Sequence, residues 1–238
     1  MEKCYHMTNK LNEIIKTGGL KILVGENSKF VNDTKIENLG ISYSLGLEGI
    51  IATNAMFHAR YQYELLENQT EKCITLDDMF AQDIERKEDD ALGDNIYLTF
   101  SETYEMKKEN KERDIADPKN KRAIDIGDIK GVILKNNENG EIKYDRKSIL
   151  MYAIANTDIN KILEKLQNTD RSFMSMEGFA KTNFSFKDYV LRYYKEMKKK
   201  PEMIEFMSKN FELEEVDIKN LQNLLSDKKI SLDSKKVL

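Results

Sequence analysis

The chain has 238 residues, 40% hydrophobic and 34% charged, with 38 basic side chains against 42 acidic ones and a net charge of −4. That length buries a real core, and the interleaved charge excludes the basic footprint of a nucleic-acid binder. No apolar run approaches the ~20 residues that cross a bilayer. The start, MEKCYHMTNK, lacks the basic-then-apolar order of a signal peptide, so a cytoplasmic protein with no membrane partner is expected.

Cys4 to Met7 has the alternation of a short strand, and Thr8 or Asn9 is placed to cap the helix that follows through Leu11, Ile14 and Ile15. Gly18-Gly19 ends that helix, because glycine tolerates the left-handed conformation at a helix end. Residues 20–24 are apolar and β-branched, 25–35 are a polar loop, and 39–44 form a second strand broken at Gly46. A helical period runs through 48–66, and another helix through 76–87 with Asp77 or Asp78 near its start. Residues 95–100 have the make-up of a buried strand. The segment 105–120 is dense in charge and is expected to be a loop. One or two strands lie in 123–135, followed by an Asn139-Gly140 hairpin turn. Helices are expected at 146–168, 185–200, 201–212 and 216–229, with Ser185 as a cap and Pro201 in a first turn. Strands thus cluster before residue 145 and helices after it. The pattern implies an α+β core over 1–145 and a helical subdomain over 146–238, not a βαβ repeat.

No Gly-rich phosphate loop, GxSxG elbow or HExxH pair is present. Cys4 and Cys73 stand apart without a CxxC pair, so no metal is assigned. The pairs Asp77-Asp78 and Asp89-Asp90 are adjacent, and neighbours on a helix do not face one another. Ser42 and Ser44 occupy alternate positions of one strand and so share a face.

Two stretches remain: His6-Met7-Thr8 ahead of an amphipathic helix ending in GGL, and Gly40-Ile41-Ser42-Tyr43-Ser44 ahead of a long helix. Their order resembles the first half of the ADP-ribosyltransferase-like superfamily. That resemblance implies a split, mostly antiparallel β-core with a cleft for NAD as substrate. It gives His6 a ribose-orienting role, Met7 a backbone contact to the nicotinamide amide, and Thr8 the neighbouring hydroxyl. Ser42, Tyr43 and Ser44 fall where the second motif lines the nicotinamide side, with His6 and Ser42 as the candidate catalytic pair. The second motif stands between two branches, since Ser42 replaces a stacking tyrosine and Tyr43 sits beside that place. The family's catalytic glutamate has no counterpart: its aligned place falls at Lys121 or a residue either side, where Asn120 and Arg122 stand. Glu102, Glu105, Glu109, Glu112 and Asp125 are the acids nearby. The implied activity is transfer of mono-ADP-ribose to a macromolecule, a protein rather than a nucleic acid, with release of nicotinamide. A non-catalytic module binding NAD, ADP-ribose or a protein segment is the alternative. A 2′-phosphotransferase is disfavoured by the acidic balance.

Overall fold

The computed structural model describes residues 1–22, 40–81, 95–111, 115, 118–167 and 181–233, with side chains through residue 227. Strand β1 (Lys3–Thr8) lies inside the main sheet. After it come α1 (Leu11–Thr17), β2 (Gly19–Leu20), β3 (Ile41–Ser42), β4 (Ser44–Leu45), α2 (Gly46–Leu66) and α3 (Leu76–Ala81). Strand β5 (Ile96–Ser101), buried except at Ser101, pairs with β1 along its whole length, from Lys3↔Ser101 to Thr8↔Ile96. Then follow α4 (Tyr104–Glu109), β6 (Lys119–Asn120), β7 (Ile124–Asp125), β8 (Lys130–Asn136) and β9 (Ile142–Lys143). The last part contains α5 (Arg146–Asn156), α6 (Ile159–Gln167), α7 (Phe186–Lys199), α8 (Pro201–Met207), β10 (Phe211–Asp217) and α9 (Ile218–Asp233).

The main sheet runs β10-β8-β5-β1-β4, with β9 folded back on β8, and the pairs β2–β7 and β3–β6 stand beside it. Every pairing between these strands is antiparallel. Strand alternation divides the core in two. Tyr5, Met7 and Tyr97 face α2 and the helices α5 to α8, whereas Cys4, Leu98, Phe100 and Ile133 face α1 and α9. A Cβ at Gly131 would come 2.0 Å from Leu221 Cδ2, so α9 lies directly on β8 at that point. No helix among the described residues is long and apolar enough to cross a membrane.

The mixture of helix and sheet is the one the sequence pattern implies, and Gly18 (φ 77°) closes α1 as expected. The Asn139-Gly140 turn joins β8 to β9 with Gly140 at φ 68°, and Ser185 caps α7 in a reciprocal pair with Asp188. Four expectations need correction. Thr8 does not cap α1: the helix starts at Leu11 after Lys10, and the Thr8 hydroxyl accepts the Lys10 N–H at 2.9 Å instead. Part of the charged 105–120 segment is helical, because Thr103 caps α4 and Met106 buries beneath it. The 146–168 helix breaks at Thr157-Asp158, where the Asp158 carboxylate accepts the Asn160 N–H. Most consequentially, the helices expected at 201–212 and 216–229 lose their facing ends to one segment, 211–217. It forms β10 and pairs along the whole of β8, so the segment after residue 145 supplies an outer strand of the sheet. Its helices α5 to α8 also share one apolar cluster with α2 and Tyr5. The 25–35 loop and residues 82–87 of the expected second helix lie outside the described residues.

Candidate functional site

The β1–β4 ladder holds Cys4↔Leu45 and Tyr5↔Ser44 and then ends. Two residues further along, Ser42 pairs with Lys119 of β6 instead. The strands fork, and beyond Tyr5 that edge of β1 has no strand partner among the described residues. A side chain spans the gap: His6 Nδ1–H donates to the Ser42 carbonyl at 2.7 Å. That bond sets the tautomer, so the Nε2 lone pair is left as an acceptor.

In the fork lies a cleft of about 210 Å³. Tyr5, His6 and Met7 of β1, Ser42 to Ser44 of the second motif, and Tyr97 of β5 form one side of it. Thr53, Asn54, Met56 and Phe57 close it from α2, where residues three and four apart share a face. Ser44 Oγ and Thr53 Oγ1 share a hydrogen bond of 2.9 Å between strand and helix. Asn54 is buried and makes four bonds. Its amide donates to the Ile50 carbonyl (2.8 Å) and the Tyr97 hydroxyl (3.2 Å), and its Oδ1 accepts from Arg146 Nε (2.9 Å) and Nη2 (2.7 Å). Burial pushes the Tyr97 phenol up, opposed by Asn54 and Arg146 beside it. Asn54 thus lines the cleft with its amide fully bonded, while Met7, Met56 and Phe57 add apolar lining.

His6, Met7, Ser42 and Ser44 thus meet at one cleft although 34 residues lie between Met7 and Ser42. Two residues singled out from sequence do not serve as expected. Thr8 turns its hydroxyl to the Lys10 backbone and does not line the cleft. Tyr43 borders the cleft, but its ring is in the opposite core, edge-on to Phe100 at 5.5 Å, with its hydroxyl taken by Asn110. Strand alternation puts it there, since Ser42 and Ser44 own the cleft face. Thr53, Asn54, Phe57 and Tyr97 complete the lining and carried no sequence signal of their own. Only the long-range pairing Met7↔Tyr97 and the crossing of α2 assemble them.

Among the described residues, no carboxylate lines the cleft. Glu102 is buried at the far end of β5, 3.8 Å from Lys107, and burial raises its carboxyl above the ordinary range. Glu105, Glu109 and Asp125 are exposed, and Glu112 lies outside the described residues. Asn120 is buried, holding the Arg122 backbone through both ends of its amide, and Lys121 and Arg122 are exposed.

Burial depresses the His6 imidazolium, opposed by its bond to Ser42. A histidine held neutral in the folded chain leaves the unfolded chain to bind the proton first. His6 stability is therefore fully present above the unfolded value of about 6.5 and declines as pH falls from there toward the folded value. We expect chemical denaturation from pH 7.5 to 5 to show this loss, at no more than about 1.4 kcal/mol per pH unit for one group. In His6→Gln the slope diminishes over that window; an unchanged slope would assign the acid sensitivity to other groups.

Comparison of the chain with protein-family models, curated proteins and solved structures gives no match.

Proposed function

We propose that the cleft binds NAD and that the chain transfers its ADP-ribose to a macromolecular acceptor, releasing nicotinamide. The observation that carries this reading is the convergence of the two motifs: His6 and Met7 of the first and Ser42 and Ser44 of the second line one cleft at a fork in an antiparallel sheet. At about 210 Å³ the cleft is below the roughly 300–1,000 Å³ of sites for drug-sized ligands, so it suits one end of a dinucleotide. In this reading the open edge of β1 at Met7 offers backbone groups to the carboxamide. The His6 Nε2 accepts a ribose hydroxyl, while its Nδ1–H stays on the Ser42 carbonyl. Ser42 thereby acts through its backbone on His6, and Ser44 with Thr53 supplies hydroxyls on the same face.

The second reading is a non-catalytic module that binds NAD or ADP-ribose, and the lack of a carboxylate among the described lining residues favours it. Catalysis of this transfer stabilises positive charge at the anomeric carbon as nicotinamide departs, the task of a fixed negative group. One experiment separates the two. The purified chain is incubated with labelled NAD, with and without cell lysate, and nicotinamide release and label transfer are followed beside His6→Ala. Loss of one substrate hydrogen bond predicts turnover lower by roughly tenfold to a hundredfold in the variant. Absent turnover with NAD-dependent thermal stabilisation that His6→Ala abolishes supports the module. Neither turnover nor stabilisation sinks both.

A further inference from the structure

A guanidinium carries only donors, so the bonds from Arg146 Nε (2.9 Å) and Nη2 (2.7 Å) fix which end of the Asn54 amide is the oxygen. The amide nitrogen must then face the Tyr97 hydroxyl, to which it donates at 3.2 Å. The phenol oxygen is the acceptor in that bond, and the hydrogen it carries is left over. Among the described residues that hydrogen has no acceptor. Tyr97 is only 2% exposed, and burial keeps its phenol protonated at neutral pH, so the donor is present and cut off from bulk water. Leaving a buried donor unmet is costly, and Tyr97 and Asn54 both line the cleft, where an acceptor could meet it. The charge beside them is one-sided. Arg146 is half-buried, rests on a neutral amide oxygen next to the Tyr97 phenol, and makes no ion pair among the described residues. A guanidinium partly withdrawn from water without a counter-ion acts strongly on whatever occupies the space nearby.

We propose that the part of the cleft lined by Tyr97 and Asn54 is a subsite for an anionic oxygen, of a carboxylate or a phosphate, which accepts the Tyr97 hydrogen and is balanced by Arg146 behind Asn54. The inference goes beyond the NAD reading and stands without it, because it follows from one unmet donor and one charge without a counter-ion. Tyr97 is the residue that touches the ligand. Arg146 is a positioning residue: it holds the amide so that Tyr97 can only donate outward, and it supplies the countercharge. The same arrangement works against the wrong ligand. An ammonium or guanidinium group at this place brings more donors to a donor and a positive charge to a positive charge, with no carboxylate among the described lining residues to offset either. The subsite therefore selects by sign as well as by hydrogen-bond polarity.

The test is an NMR titration of the full chain with sodium acetate, inorganic phosphate and NAD in turn, in a fixed background of sodium chloride. Tyrosine labelled at its ζ-carbon reports on the phenols, and the resonance missing from Tyr97→Phe identifies Tyr97. Binding to the variants is followed at the backbone amides of Thr53 to Phe57, and each unliganded melting temperature reports that the variant folds. We expect one of the two anions to shift the Tyr97 resonance saturably. That anion should bind about tenfold more weakly to Tyr97→Phe and to Arg146→Met, which lose the charge-assisted bond and the countercharge. Arg146→Lys keeps the charge and should hold the anion within about threefold of wild type, a rescue that a merely structural arginine does not give. Acetate binding more tightly than phosphate identifies a carboxylate as the source of the oxygen, and the reverse order a phosphate. Anion binding unchanged in Tyr97→Phe overturns the inference, as does a loss in Arg146→Met that Arg146→Lys fails to repair. A Tyr97 resonance unmoved by both anions means that only water meets the phenol, and overturns it too. In that event saturable binding of NAD leaves the NAD reading standing, and absent binding of NAD sinks both.

Discussion

Gly19→Ala is expected to lower the unfolding free energy by about 3 kcal/mol, combining roughly 1–3 kcal/mol of backbone strain with a comparable steric term. Gly19 sits at φ 144°, a conformation that residues with a Cβ rarely adopt. An added Cβ would come 2.1 Å from the Ile124 carbonyl oxygen and 3.0 Å from the Ile126 nitrogen. Both are backbone atoms, and the Ile126 N–H donates to the Gly18 carbonyl at 3.0 Å, so neither yields without opening the β2–β7 pair. For a chain of this size the loss corresponds to a melting temperature lower by about 6–12 °C. Gly18→Ala is the internal control. Gly18 also has a positive φ, at 77°, but a Cβ there meets nothing within 4 Å, so its cost should stay near 1 kcal/mol. Urea denaturation of both variants checks the ordering, and equal costs would mean that the close approach at Ile124 relaxes freely.

Asn54→Ala is expected to cost a similar 3 kcal/mol or so, for a different reason. It removes four hydrogen bonds at once and leaves the half-buried Arg146 guanidinium without the acceptor for Nε and Nη2. Leaving a partly buried charged donor unsatisfied costs more than the bond contributes net. The clean measurement is a double-mutant cycle with Arg146→Met. The double variant no longer strands a charge, so its destabilisation should fall short of the sum of the single ones by about 1–2 kcal/mol. Strict additivity would show that Asn54 and Arg146 are not energetically coupled, and that the loss arises at Tyr97 or Ile50 alone.

Local signals made much of the fold legible. The Asn139-Gly140 turn, the Ser185–Asp188 cap and the glycine closing α1 each act within a few residues, and their partners stand beside them in the chain. The strand FELEEVD was opaque because Glu212, Glu214 and Glu215 favour helix, and only pairing with the buried β8 makes them extended. Its true period is two: Phe211 and Leu213 face the α2 side, and Val216 the other. At the cleft, His6, Ser42 and Ser44 were readable from strand alternation and motif order. The direction of Tyr43 follows from the same alternation once Ser42 and Ser44 are known to own the cleft. Asn54, Phe57 and Tyr97 were not readable, since their meeting depends on which strand lies next to β1 and where α2 crosses it.

The place of β10 bears on how the chain is made. Synthesis delivers β1, β5 and β8 early, but the strand that covers the outer edge of β8 begins only at Phe211. Until then β8 carries a bare row of backbone donors and acceptors beside the apolar Val132, Ile133 and Leu134. The sheet therefore closes only once residues 211–217 have been made, through a contact between segments about 80 residues apart, the kind of distant pairing that slows folding. A nascent chain halted between residues 145 and 210 is the species that invites strand-to-strand association, and the acidic β10 arrives as both its closing strand and its guard.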